Sequence, residues 1–118
     1  MEGFDNLKYD ANGLIPAIIQ DADTGEVLMM AYMNKQSLAD SVRLGKTHFW
    51  SRSRQKYWMK GETSGNFLKV KSIYKDCDND TILVLADPVG PVCHLNTRTC
   101  FVTEEGGMRG LDSDDTSN

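Results

Sequence analysis

The stretch that decides the fold is LIPAIIQDADTGEVLMMAY, residues 14–32. Two short apolar runs, Leu14 to Asp21 and Glu26 to Tyr32, flank Asp23-Thr24-Gly25. Aspartate bonds its own backbone in turns and glycine accepts a positive φ, so the trio breaks the chain between the runs. The pattern predicts a β-hairpin. Moving outward, Asn34 stands where a helix cap is needed, and Leu38, Ala39 and Val42 recur at helical spacing before Gly45. A helix over residues 35–44 follows. Beyond it, Thr47 to Ser53, Phe67 to Lys75, Thr81 to Ala86 and Thr99 to Glu104 carry the alternating or β-branched signature of strands. The expectation is a mainly β (α+β) domain, mostly antiparallel, with one main helix.

No repeat or linker interrupts residues 1–105, which read as a single domain. Residues 106–118, GGMRGLDSDDTSN, are small, polar and acidic and read as a disordered tail. A chain of 118 residues carries one modest core. Its net charge of −4 argues against general nucleic-acid binding, so any polyanion must be gripped by a local basic patch. No apolar run approaches the roughly 18 residues of a membrane span, and the start, MEGFD, lacks the apolar core of a signal peptide. A cytoplasmic protein with no membrane partner is expected. Three cysteines, an odd count, speak against a closed disulfide framework and leave ligands, nucleophiles or core filler.

The sequence DCDND, residues 76–80, sets a soft thiolate among hard carboxylates. In an extended segment alternate side chains point to opposite faces, which would send Asp76, Asp78 and Asp80 one way and Cys77 the other. Oxygen ligands suit Mg²⁺ and thiolates suit Zn²⁺, so the segment offers two different metal faces. Downstream, PVCHLNTRTCF places Cys93 and Cys100 around His94 without the short Cys-Cys spacing of a structural finger. Three thiolates from separate elements would leave a tetrahedral zinc one open position. An EF-hand is rejected, because the loop lacks its sixth-position glycine and runs into a strand pattern.

Residues 48–60, HFWSRSRQKYWMK, put His48, Trp50, Arg52, Arg54, Lys56, Trp58 and Lys60 on one parity. If the segment stays extended, one face carries cations and indoles able to stack a purine and pair with phosphates. A turn near Arg54-Gln55 would break that register. GETSGN, residues 61–66, then lets backbone and the hydroxyls of Thr63 and Ser64 approach an anion.

Together FWSRSRxxxWxKGETSGN, DCDND and GPVCHxxxxxCF, in that order across residues 48–101, resemble the phosphoribosyl-AMP cyclohydrolase family of histidine biosynthesis, in its monofunctional form. GLIPAIIQD and VLMMAYMN match it as well. The resemblance implies an antiparallel β pseudo-barrel capped by a helix, in an intertwined homodimer. It implies magnesium at Asp76, Asp78 and Asp80. It also implies one zinc per subunit at Cys77, Cys93 and Cys100, contributed across the dimer interface. The family's final motif usually reads CHTGxxSCF, where this chain has Leu95 and Asn96 in place of threonine and glycine. Asn96 tolerates a left-handed backbone almost as glycine does.

The implied reaction is hydrolysis of the N1–C6 bond of AMP that carries a second phosphoribosyl group on N1. His94 is the candidate general base and His48 the second choice. Trp50, Arg52, Arg54, Lys60, Thr63 and Ser64 are the candidate substrate contacts. The alternative is a zinc-stabilised module that holds single-stranded nucleic acid on a platform of Trp50, Arg52, Arg54 and Trp58.

Overall fold

A computed structural model describes residues 3–93 and 96–101. The 14–32 stretch forms the expected hairpin, with β1 (Ile15–Asp21) antiparallel to β2 (Val27–Met33). Its turn is closed by Asp21, whose Oδ1 accepts from the amides of Asp23 at 2.8 Å and Thr24 at 3.2 Å. Along β1 the period of two is complete: Ile15, Ala17, Ile19 and Asp21 are all buried. Pro16 is tolerated because the strand's second ladder, to β6, begins only at Ala17.

Helix α1 (Lys35–Leu44) has the boundaries the sequence predicts. Asn34 accepts from the Ser37 amide at 2.8 Å and the Ser37 hydroxyl accepts from the Asn34 amide at 2.9 Å, a reciprocal cap. Gly45 ends the helix with φ 73. The inward face differs from the expected apolar stripe. Ala39 and Val42 are exposed, while Ser37, Leu38, Asp40 and Ser41 are buried. The reason is the neighbour: α1 meets the following hairpin largely through hydrogen bonds. Ser41 Oγ accepts from the His48 amide at 2.8 Å, and the Tyr57 hydroxyl donates to Asp40.

Asp40 also accepts from Gln36 and Arg43, both at 3.0 Å. The Tyr57 hydrogen bond, joined by those of Gln36 and Arg43, holds its carboxyl down to about 2. A carboxylate with a depressed folded-state pKa stabilises the protein above its unfolded value of about 4, and that contribution is lost as pH falls toward about 2. Urea unfolding at pH 7 and at about pH 3 is therefore expected to show Asp40→Asn less stable than the parent at pH 7. The gap should shrink on acidification. An equal gap at both values would contradict the role assigned to this carboxylate.

Strands β3 (His48–Ser51) and β4 (Lys56–Met59) form a second hairpin. β5 (Leu68–Lys75) and β6 (Ile82–Pro88) form a third antiparallel pair. The six strands lie in the order β4-β3-β2-β1-β6-β5, with β1 and β6 parallel and every other pairing antiparallel. The sheet curls because its two ends are tied. The Val70 amide donates to the Gly45 carbonyl at 2.9 Å, and the Thr47 amide to that of Leu68 at 3.1 Å, joining the α1–β3 connection to β5. Ile15, Ile19, Leu28, Phe49, Leu68 and Val84 fill the interior of this half-barrel. Among the described residues no helix is long and apolar enough to cross a membrane.

The expected strand over 99–104 does not form in its described part. Thr99 to Phe101 are irregular, although the Cys100 amide donates to the Leu28 carbonyl at 2.8 Å, and 102–104 lie outside the described residues. The 106–118 tail also lies outside them.

Candidate active site

DCDND is a turn, not a strand end: the Asn79 amide donates to the Asp76 carbonyl at 3.1 Å and Asn79 adopts φ 63. The alternation expected for an extended segment therefore does not apply. The turn nevertheless gathers Asp76, Asp78 and Asp80, each exposed, so that one carboxylate oxygen of each lies within 4.8 Å of the others. The hydrogen bond that the Asp80 carboxyl donates to Asp76 pushes the Asp80 carboxyl up, with the Asp76 and Asp78 charges adding to the rise. Three crowded hard oxygens make a donor set that suits a magnesium-type cation.

The thiols fall into two places. Cys93 is buried, and Cys100, itself exposed, sits against it: burial, then the facing Cys93, pushes the Cys100 thiol up, while Lys60 counters the rise. Cys77 is exposed on the aspartate turn. Among the described residues of one chain only the three aspartates gather as a metal-sized group, so a single chain does not close a three-thiol site.

Residues 98–100 are fixed to the first hairpin. The Asn96 amide donates to the Cys93 carbonyl at 2.9 Å, and Asn96 adopts φ 67, a left-handed conformation that asparagine tolerates. Arg98 Nε donates to Glu26 at 2.7 Å and its Nη2 to Asp21 at 2.9 Å. Thr99 Oγ1 donates to the Val27 carbonyl at 2.7 Å. Asp21 is buried, which opposes ionisation, but the amides of Asp23 and Thr24 and the Arg98 charge outweigh that and hold its carboxyl low. Arg98 carried no signal in the sequence, because its two acceptors lie 72 and 77 positions away. His94 lies outside the described residues.

The basic strip does turn, at Gln55, with φ 51. Phe49 pairs with Trp58 and Trp50 with Tyr57, and Trp58 packs on Phe49 at 5.0 Å while both indoles line one cavity. The strip is thus divided between two cavities, with Trp50, Arg52, Arg54 and Trp58 at one and Lys60 at the other. The first, of about 570 Å³, is lined by Tyr32, Trp50, Arg52, Arg54 and Trp58, with the Arg52 guanidinium 4.0 Å over the Tyr32 ring. The other, of about 280 Å³, brings Lys60 and Ser64 beside Cys93. Thr63 is exposed on the same turn. His48 is buried at 4 % exposure, its Nδ1 2.7 Å from the Lys46 carbonyl and its ring tilted on Tyr57.

The phosphoribosyl-AMP cyclohydrolase family matches residues 29–102, which contain both cavities, the aspartate turn and the thiols. The chain belongs to that family. A phosphoribosyl-AMP cyclohydrolase of Paracoccus denitrificans is 54% identical over 83% of this chain and 81% of its own length. One from Streptomyces coelicolor is 54% identical over 85% of this chain and 78% of the relative. A histidine biosynthesis bifunctional protein of Shigella flexneri is 58% identical over 76% of this chain, which spans 44% of that longer relative. Membership makes the chain a hydrolase of the phosphoribosyl-AMP cyclohydrolase type, acting in histidine biosynthesis.

Proposed function

We propose that the chain hydrolyses the N1–C6 bond of 1-(5-phosphoribosyl)-AMP in a metal-dependent reaction and opens the six-membered ring to the phosphoribosylformimino product. The observation that carries this reading is the cavity in which Cys93 meets Lys60 and Ser64: a soft donor beside groups that bind phosphate. Cys93 and Cys100, joined by Cys77 of a second copy, would hold zinc in a homodimer, one ion per subunit. The adjacency of only two thiols within one chain supports such sharing. Asp76, Asp78 and Asp80 would hold magnesium. Zinc, when bound, supplies the Lewis acidity that makes water nucleophilic near neutral pH.

The chain's own residues bind and orient the substrate. Arg52, held over Tyr32, pairs with one 5′-phosphate together with Arg54, and Trp50, which lines the same cavity, packs against the ribose that carries it. Lys60 takes the other phosphate, with Ser64 and Thr63 donating hydroxyls. Two cationic cavities match a nucleotide that carries two phosphates. The oxygen of water adds to C6 as His94 takes its proton, the C6–N1 bond breaks, and N1 keeps the electron pair and receives a proton. The exocyclic nitrogen stays behind as a carboxamide, so no ammonia leaves.

Absorbance at the purine band, followed with phosphoribosyl-AMP, tests this reading. Ring opening is expected with loaded protein, and a fall of at least about a hundredfold is expected after chelation. Undiminished turnover without metal would contradict metal dependence. Release of ammonia would show a deaminase instead.

A further inference from the structure

Three observations meet at Asn66. Gly61 adopts φ 88, and a Cβ there would stand 2.7 Å from the Asn66 carbonyl carbon and from the Phe67 nitrogen. Gly90 adopts φ 93, and a Cβ there would stand 2.6 Å from Asn66 Oδ1. Two glycines from separate loops thus leave a space that this one residue fills. The third observation is chemical. The side chain of Asn66 has no hydrogen-bond partner among the described residues, its backbone amide alone being tied, to Ser64 Oγ at 3.1 Å. Loop asparagines ordinarily bond their own backbone. This carboxamide is half-buried and lines the cavity of about 280 Å³ with Lys60, Ser64, Cys93 and Asn96.

We infer that Asn66 reads the edge of the purine that carries N6 and N7, its Oδ1 accepting from the exocyclic N6–H and its Nδ2 donating to N7. The inference rests on phosphoribosyl-AMP being the substrate. A carboxamide matches this edge of adenine with two parallel hydrogen bonds, the same fit by which asparagine reads adenine in a DNA groove. Ribosylation at N1 leaves both atoms free. Because N6 is bonded to C6, the contact sets the reacting carbon beside Cys93. A purine with oxygen at C6 offers two acceptors on that edge, so one of the two bonds is lost whichever way the amide turns. Asn66 is in this sense a specificity-determining residue for the reaction.

The test pairs three proteins with two substrates: zinc-loaded wild type, Asn66→Ala and Asn66→Asp, each given phosphoribosyl-AMP and its 7-deaza analogue. The dissociation constants of AMP and 7-deaza-AMP, read by tryptophan fluorescence, supply a second measure. Wild type is expected to favour the natural purine by about tenfold, and Asn66→Ala to lose about 10- to 100-fold in kcat/KM on it while treating both purines alike. Asn66→Asp, nearly isosteric, should reverse the preference, because a carboxylate repels N7 but not the C–H of the analogue. It also carries the test should the alanine variant fail to fold. The same 7-deaza penalty in all three proteins, or unchanged kcat/KM in Asn66→Ala, would overturn the assignment. Wild type inert toward phosphoribosyl-AMP would instead overturn the substrate reading beneath it, a separate outcome.

Discussion

Cys93→Ser is expected to lose zinc and turnover together while the fold survives. The side chain is 8 % exposed, and exchanging sulfur for oxygen changes its size little, so unfolding by urea should shift by no more than about 1 kcal/mol. The chemistry changes far more. A serine hydroxyl does not ionise near neutral pH, so the soft donor pair with Cys100 is reduced to a single thiol. Turnover of phosphoribosyl-AMP should fall at least about a thousandfold, and zinc per chain, measured by elemental analysis, should drop from about one to near zero. A zinc-free variant with wild-type turnover would contradict the metal-dependent reading. Retained zinc with lost turnover would show that the thiol acts in some way other than ligation.

Gly61→Ala is the largest expected loss of stability, about 3 kcal/mol. Part of it is conformational, since an L side chain in the left-handed region costs about 1–2 kcal/mol. The remainder is collision, because the new Cβ would stand 2.7 Å from backbone atoms that no rotamer change can move. Gly65, four positions on, is an internal control: its φ is 80 and nothing lies within 4 Å of a Cβ built there. Gly65→Ala should therefore cost only the conformational part, leaving a gap between the two variants of about 1–2 kcal/mol by urea denaturation. Equal losses would show that Asn66 and Phe67 are free to retreat and that the turn is looser than its contacts indicate.

The parts legible in the sequence are those with local causes. The first hairpin is written in Asp21 and Gly25, and both ends of α1 in Asn34 and Gly45, because caps and turns act over two to four residues. The family motifs were legible for the same reason, as short runs of residues in a set order and spacing. What escaped depends on partners far along the chain. The inward face of α1 follows from His48 and Tyr57, not from its own apolar spacing. The break at Gln55 has no glycine or proline to announce it, so parity alone continued the strip across a turn. DCDND carried its three carboxylates to one place through a turn, where alternation predicted an extended segment. Asn66 and Arg98 became visible only through what they touch: two glycines in one case, Asp21 and Glu26 in the other.

The sharing of thiols between two copies is tested most directly by mixing inactive variants. Cys77→Ser and Cys93→Ser chains, unfolded together and refolded with zinc, should form mixed dimers in roughly half of the product. Each mixed dimer would contain one complete site, with Cys77 from the Cys93→Ser chain and the Cys93–Cys100 pair from the Cys77→Ser chain. Ring opening should return to about a quarter of the wild-type rate, with zinc bound in proportion. A mixture as inactive and zinc-free as either variant alone would contradict a site built from two chains.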